Sequence, residues 1–262
     1  MKSGSTANVS VENGGKKKFH FEWLWPLLIR PKKTIEEIVK QDKSVWLTPL
    51  LVISILAIVA GLVASPIHKA EIVSGANLPE NFQYFSTDQQ TEFMNAQATQ
   101  SSALFTLVFP ILSSLLGIWI SWFLLSSVFH LVLTLTGSRA SNIHSYNLIG
   151  WSMLPTGVRF VVQIVAMIAS QSLVHASGLA GFIDSSAKGG LAFLYGFLGQ
   201  IDIYFVWQIV LILLGVVPLS GLVKRKAWIA TAASIFILMV LVALPHIVSA
   251  ALSGLSMGGI YF

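Results

Sequence analysis

Two charged residues, Arg159 and Asp202, lie in or beside long apolar runs of the sequence. A charge inside a membrane span is costly, and it marks a binding or transport site by default. Counting 1.5 Å per residue separates the two by about 10 Å in depth, a gap that tilt and the long arginine side chain would have to close. Two other interpretations stay open. Arg159 bonds carbonyl groups or water in a cleft opened by Pro155, or Asp202 caps a helix that begins beside it.

Motifs for enzymatic catalysis fail in this sequence. Residues 254–258 match the Gly-x-Ser-x-Gly pattern of a hydrolase, but the acid and histidine that this motif needs later in the chain are missing. There is no His-Glu-x-x-His zinc motif, no phosphate-binding loop and no cysteine. We therefore predict no catalytic residue, no metal site and no cofactor, and we expect that the protein is not an enzyme.

The elements that carry Arg159 and Asp202 are predicted to be transmembrane helices. Hydrophobic residues make up 55% of the chain and charged residues only 10%, whereas a soluble domain carries about 25% charge. A helix needs roughly 20 apolar residues to cross a bilayer, and five runs are long enough. They are 46–64, 103–136, 148–169, a run that begins between 191 and 201 and ends near 223, and 227–248. The prediction is an all-α integral membrane bundle of five transmembrane helices with an N-terminal interfacial amphipathic helix.

The second apolar run has two unusual features. As one helix it would be about 50 Å long, so it must tilt, kink or project from the membrane, and Pro110 is the expected kink point. Ser113, Gly117 and Ser121 recur at a spacing of four residues. Small residues at this spacing allow close helix packing, either within the chain or against another membrane subunit.

Lysine and arginine are distributed unevenly between the two sides of the predicted bundle. Nine precede the first span, one lies between spans two and three, and three lie between spans four and five. Only Lys69 and Lys188 fall on the opposite side. Because basic residues are retained in the cytosol, the protein is predicted to have a cytosolic N-terminus and an extracytoplasmic C-terminus. The net charge of +5 then reflects topology and attraction to anionic lipids, not binding to nucleic acid.

The region before the first span contains an aromatic cluster followed by a basic helical segment. The four predicted parts of the chain are a disordered basic tail at 1–18, interfacial amphipathic helices at 19–44, the membrane domain at 45–249 and a flexible tail at 250–262. The helices at 19–44 anchor the protein on a membrane surface, dock a cytosolic partner, or do both. The candidate lipid-binding or partner-binding residues are Trp23, Trp25, Arg30, Lys32 and Lys33.

Three blocks of sequence together resemble the Yip family of Ypt/Rab-interacting-protein-like membrane proteins, in its bacterial branch. Residues 30–38, followed by the Trp-Leu-Thr-Pro-Leu at 46–50, look like the family's amphipathic helix and the start of its first span. Residues 136–139 and 146–155 are similar to its Gly-Tyr-x-x-Leu-Pro region, with Trp151 at the aromatic position. Residues 206–215 and 224–227 look like its closing pair of spans, joined by a basic turn. The acidic segment that eukaryotic trafficking members carry before their first span has no counterpart here.

This resemblance implies a non-enzymatic scaffold or accessory subunit that assists or regulates a membrane complex, with an ABC-type export system as one plausible host. The expected location is the bacterial cytoplasmic membrane. The expected partners are the lipid bilayer, including anionic lipids, and a membrane protein or a second copy of the chain. The alternative is a small-solute transporter or channel that uses the intramembrane residues Pro155, Arg159 and Asp202.

Overall fold

The structure is a computed structural model that describes residues 19–74, 78–79, 81–174, 178–183 and 189–257. Within these residues every regular element is a helix, which confirms the predicted all-α class. The predicted tail at 1–18 and the last five residues of the predicted tail at 250–262 lie outside the described residues.

Five helical spans are long and apolar enough to cross a membrane, as the sequence predicts. The first is α3, Leu47–Val73. A π-helical segment, Leu104–Val108, continues into α5, Phe109–Leu135, to form the second. Helices α6, Asn142–Ser152, and α7, Leu154–Ser170, make the third. The fourth is α9, Ile203–Ser220, and the fifth lies in α10, Lys224–Met257.

Two prolines coincide with changes in the regular hydrogen-bond pattern of these spans. Pro110 has no N–H to donate to the preceding turn. The π-helical segment ends two residues earlier, at Val108, and the Phe109 N–H donates to the Leu104 carbonyl. Pro155 lies in the first turn of α7, where a missing N–H is tolerated. Span three is therefore two helices in sequence, with the break at Met153.

Four shorter α-helices lie before and between the spans in the described part of the chain. Helices α1, Leu24–Ile29, and α2, Pro31–Ile38, form the N-terminal amphipathic segment. Helix α4, Thr87–Gln100, begins with a capping box between Ser86 and Gln89. Helix α8, Gly190–Leu198, packs against α10 and is separate from the fourth span.

The packing defines two ends of the bundle. Helix α3 packs against α5 and α7, α10 packs against α5, α8 and α9, and α2 lies on α9 and α6. The loops that join α2 to α3, α5 to α6 and α9 to α10 share one end, where the Ser138 hydroxyl donates to the Ser220 carbonyl across 3.0 Å. We call this the basic end, because Arg139 lies in the loop between α5 and α6, and Lys224, Arg225 and Lys226 form the first turn of α10. Helices α4 and α8 lie at the opposite end.

Candidate functional site

At the basic end, one buried asparagine holds the loop that joins α2 to α3. Asn147 of α6 is fully buried. Its side-chain oxygen accepts the Val45 N–H at 2.8 Å. Its amide nitrogen donates to the carbonyls of Lys43 at 2.8 Å and Gln41 at 3.3 Å. A single side chain therefore fixes three backbone groups of this loop.

Trp151 and Thr48 add further attachments to the N-terminal segment. The buried Trp151 indole N–H donates to the Val45 carbonyl at 3.1 Å, and its ring packs against that of Trp23 in a T-shaped arrangement with centroids 5.6 Å apart. The His20 N–H donates to the Thr48 hydroxyl at 3.0 Å. Trp23, a predicted lipid-binding or partner-binding residue, is thus partly buried and packs inward on the bundle.

The apolar face of α2 is covered by protein and not by lipid. Ile35 and Ile38 are fully buried in the main hydrophobic core. A Cβ added at Gly215 of α9 would lie 2.7 Å from Ile35 Cγ2 and would also clash with Leu148. The helical spacing of these residues predicts an amphipathic helix, and the structure shows that α9 and α6 cover its apolar side.

The outward side of the same segment combines aromatic, aliphatic and basic residues. Trp25 is 70% exposed and Ile29 is also exposed. Arg30, Lys32 and Lys33 are exposed beside them. We call these five residues the N-terminal patch. Four of the five predicted lipid-binding or partner-binding residues belong to it, and the fifth, Trp23, packs on the bundle.

The two intramembrane charges that the sequence singled out meet in the structure. Arg159 of α7 forms an ion pair with Asp202 through Nη2 and Oδ2, and the side chains are 28% and 17% exposed. The guanidinium also lies over the Tyr204 ring, 5.5 Å from its centroid. Asp202 is the N-cap of α9, because its other oxygen, Oδ1, accepts the Phe205 N–H at 2.8 Å. Ion pairing and helix capping, two of the interpretations left open, therefore both hold.

The expected 10 Å gap between these charges closes because span three begins earlier than predicted. Its first residue is Asn142, not residue 148, so Arg159 lies farther toward the opposite end of the bundle. Asp202 is the N-cap of α9, so its carboxylate lies at the end of that helix where Arg159 meets it. Pro155 is buried in the first turn of α7, one helical turn before Arg159. It therefore belongs to the start of the helix that carries Arg159.

Arg159 lines a cleft of about 370 Å³ between α5, α7, α9 and α10. Apolar walls are formed by residues that include Ile118, Leu125, Leu238 and Val242. Polar groups come from all sides except α10 and are Ser114, Ser121, Thr156, Arg159, Gln200 and Gln208. We call this space the intramembrane cleft. Of the small residues predicted to pack closely, Gly117 and Ser121 line this cleft. Ser113 does not, and Ser114 lines it instead.

Two glutamines that the sequence analysis did not single out lie in the wall of the intramembrane cleft. Gln200 donates to the carbonyls of Gly196 at 3.1 Å and Met239 at 3.0 Å. Gln208 is only 8% exposed, and no described residue hydrogen-bonds its amide. A polar residue within an apolar run was the available signal for Gln208, as it was for Arg159.

Two of the chemical motifs considered from the sequence concern a metal site and a hydrolase-like serine. They contain no group of three His, Cys, Asp or Glu side chains that is able to hold a metal ion. Ser256, the serine of the hydrolase-like pattern, lies within helix α10, whereas that motif needs a turn between a strand and a helix. The two candidate sites are an exposed patch at the basic end and a polar cleft nearer the opposite end.

Comparison with known proteins gives one match. The sequence model described as the Yip1 domain matches residues 25–244, which include both the N-terminal patch and the intramembrane cleft. No curated protein and no solved structure matches the chain.

Proposed function

Because this chain belongs to the Yip1 domain family, we propose that it is a non-enzymatic accessory subunit that assists or regulates a larger membrane complex. The observation that carries this proposal is the N-terminal patch, an exposed aromatic and basic surface on a segment anchored to the bundle. An ABC-type export system is the host to test first. The partner is a membrane protein, bound at the surface of the bilayer.

The anchoring of the N-terminal segment favours partner binding. A side chain or loop that is ordered only on binding lowers the affinity, because its conformational freedom is lost at that moment. Asn147 and Trp151 already hold the loop after α2, and the α2 core residues are buried. Tryptophan and arginine, the residue types of Trp25 and Arg30, are also enriched among the residues that dominate binding energy at interfaces.

We propose that the basic end faces the cytosol of a bacterial cell and that the protein spans the cytoplasmic membrane with its C-terminus outside. The support is the concentration of basic residues at the basic end, which follows the positive-inside rule. In this orientation the exposed Arg30, Lys32 and Lys33 also attract anionic lipid headgroups. The lipid contact holds the patch at the depth where a membrane partner meets it.

Cross-linking from the N-terminal patch tests the accessory role. The native chain has no cysteine, so a single Ile29→Cys variant carries a thiol-reactive photo-crosslinker at one defined place. We expect the same membrane protein to be captured in repeated preparations, and we expect Trp25→Ala to reduce its yield about tenfold, as for the loss of an interface hot spot. Mild-detergent purification followed by mass spectrometry measures that yield.

Two matched variants serve as controls for this experiment. Val73→Cys carries the same crosslinker on an exposed residue at the opposite end and is expected to miss the partner. Trp228→Ala removes another exposed tryptophan, which lies 4.5 Å from the Lys224 amine at the basic end, and is expected to leave the yield unchanged. Adducts confined to lipid, or to a second copy of the chain, would contradict the accessory role.

Small-solute transport is a second candidate, favoured by the intramembrane cleft and its Arg159. This function requires flux across liposomes that contain the protein, with a rate that falls in Arg159→Ala. Equal, background-level leakage with both proteins would remove this candidate and leave the accessory proposal untouched, since the N-terminal patch lies at the basic end.

A further inference from the structure

The intramembrane cleft contains polar groups that the fold does not fully use. A guanidinium has five N–H donors, and among the described residues the partners of Arg159 are Asp202 and the face of Tyr204. Gln208 is more than nine-tenths buried in the same wall without a hydrogen-bond partner among them. Buried polar groups are nearly always paired, so donors left over in a cleft indicate a bound molecule rich in acceptors.

The size of the cleft fits a small group and not a helix. Its volume of about 370 Å³ lies within the range of about 300–1,000 Å³ that is typical of small-molecule sites. On the α5 side, a Cβ added at Gly117 would meet nothing within 4 Å, and Ser121 is exposed. This wall therefore leaves room beside Arg159 in place of packing against another part of the chain.

The unused hydrogen-bond donors of Arg159 favour an acceptor-rich group such as a phosphate over a cation. Asp202 is the acidic residue next to the cleft, and its two oxygens are already engaged by Arg159 and by the Phe205 N–H. The remaining polar lining is neutral and includes Ser114, Thr156 and Gln208. Arginine presents several donors in a planar fork that matches a phosphate group.

We propose that the intramembrane cleft binds one phospholipid, with the headgroup phosphate at Arg159 and Gln208 and an acyl chain along the small-residue side of α5. The cleft lies among membrane-spanning helices and has apolar walls at Ile118 and Leu238 as well as polar groups, so an amphipathic molecule satisfies both parts of its lining. This lipid site is distinct from the N-terminal patch and does not depend on the accessory role.

Photo-labelling of the full chain in lipid nanodiscs tests the site. The probe is phosphatidylglycerol with a photoreactive acyl chain, and mass spectrometry reads the labelled peptides. Ser121→Leu fills the cleft without removing a charge, and Ser113→Leu makes the same change on α5 away from the cleft lining. We expect labelling of α5 to fall about tenfold in Ser121→Leu, because the leucine side chain occupies space that the lipid needs, and to stay at the native level in Ser113→Leu.

A second pair of variants tests the headgroup contact. Arg159→Gln combined with Asp202→Asn removes both charges together and leaves neither partner as a lone ion, whereas Arg139→Gln removes an exposed arginine of the basic end. Labelling is expected to fall only in the first. Equal labelling in Ser121→Leu and Ser113→Leu would overturn the lipid site. So would protection of the protein against thermal unfolding by glycerol phosphate alone, because that result would assign the cleft to a soluble anion.

Discussion

The buried polar groups that hold the loop before α3 are all bonded, whereas those beside the intramembrane cleft are not. At the basic end, Asn147 bonds three backbone groups and the Trp151 indole bonds a fourth. Toward the opposite end, Gln208 has no partner among the described residues, and the buried Nε of Arg159 has none either. The main core cluster includes α2 and α6 at the basic end, whereas a separate small cluster, Ala60, Ile67 and Met167, lies between α3 and α7.

This difference separates the part of the fold that confers rigidity from the part that is open to a ligand. A buried polar network in which every member is bonded specifies one arrangement of the chain. Unused donors lower the stability of the protein alone. That stability is recovered when a bound ligand supplies hydrogen-bond acceptors. We therefore expect substitutions at the basic end to change folding most, and substitutions at the cleft to change binding more than folding.

The largest effect is expected from Asn147→Ala. It leaves the buried Val45 N–H and two loop carbonyls without their partner, which we expect to lower the free energy of unfolding by about 2–4 kcal/mol. Unfolding in mixed detergent with increasing dodecyl sulfate measures the change. Asn142→Ala, at the exposed first position of the same helix, is the control. Equal losses in the two variants would remove the distinction between the two ends.

A matched pair of glycines sharpens the comparison. A Cβ at Gly150 would lie 2.8 Å from Trp46 Cβ and 3.3 Å from Trp46 Cα, so Gly150→Ala is expected to destabilise the protein by about 1–3 kcal/mol through overpacking. At Gly117 the same Cβ would meet nothing within 4 Å. Gly117→Ala is therefore expected to leave stability unchanged or to raise it by up to about 1 kcal/mol, because alanine favours a helix. Destabilisation of both variants in the same unfolding assay would contradict the open wall at Gly117.

The smallest effect is expected from Asp202→Asn. Asparagine also caps a helix, and Arg159 is partly open to the cleft, so the loss of the ion pair is expected to cost about 1 kcal/mol. The apparent melting temperature in nanodiscs reports this change. Asp42→Asn removes the carboxylate of another pair, with His144, in which the aspartate is 94% exposed, and no shift is expected. A shift in Asp42→Asn as large as that in Asp202→Asn would show that the loss of stability does not depend on where the carboxylate lies.

The sequence predicted the helices of this protein better than the contacts between them. The five apolar runs became five spans. The start of span three was placed six residues too late, because residues 142–147 are mostly polar and the apolar run begins at 148. In the structure Ser145 and Asn147 are buried by hydrogen bonds and packing, which a count of apolar residues does not detect.

For the candidate sites too, the sequence predicted some residues by type but did not predict the contacts between them. Arg159 and Asp202 were identified from their residue type, because a charge within an apolar run is rare whatever its surroundings. Gln200, Gln208 and Asn147 were missed. An uncharged polar residue is common in helices, and its role depends on what the neighbouring helix presents. The pairing of Arg159 with Asp202 was left open because it depends on the start of α9 and on how α7 lies against it.

The sequence by itself determined the number of spans, their helical form and the gathering of basic residues at one end. These properties are local, since a segment in lipid must satisfy its own backbone hydrogen bonds and each loop carries its own charges. Only the tertiary structure decided that α2 turns its apolar face to α9, that Asn147 holds the loop before α3, and that a cleft remains beside Arg159. These features depend on distances between helices that are far apart in the chain, and the periodicity of one helix contains no information about them.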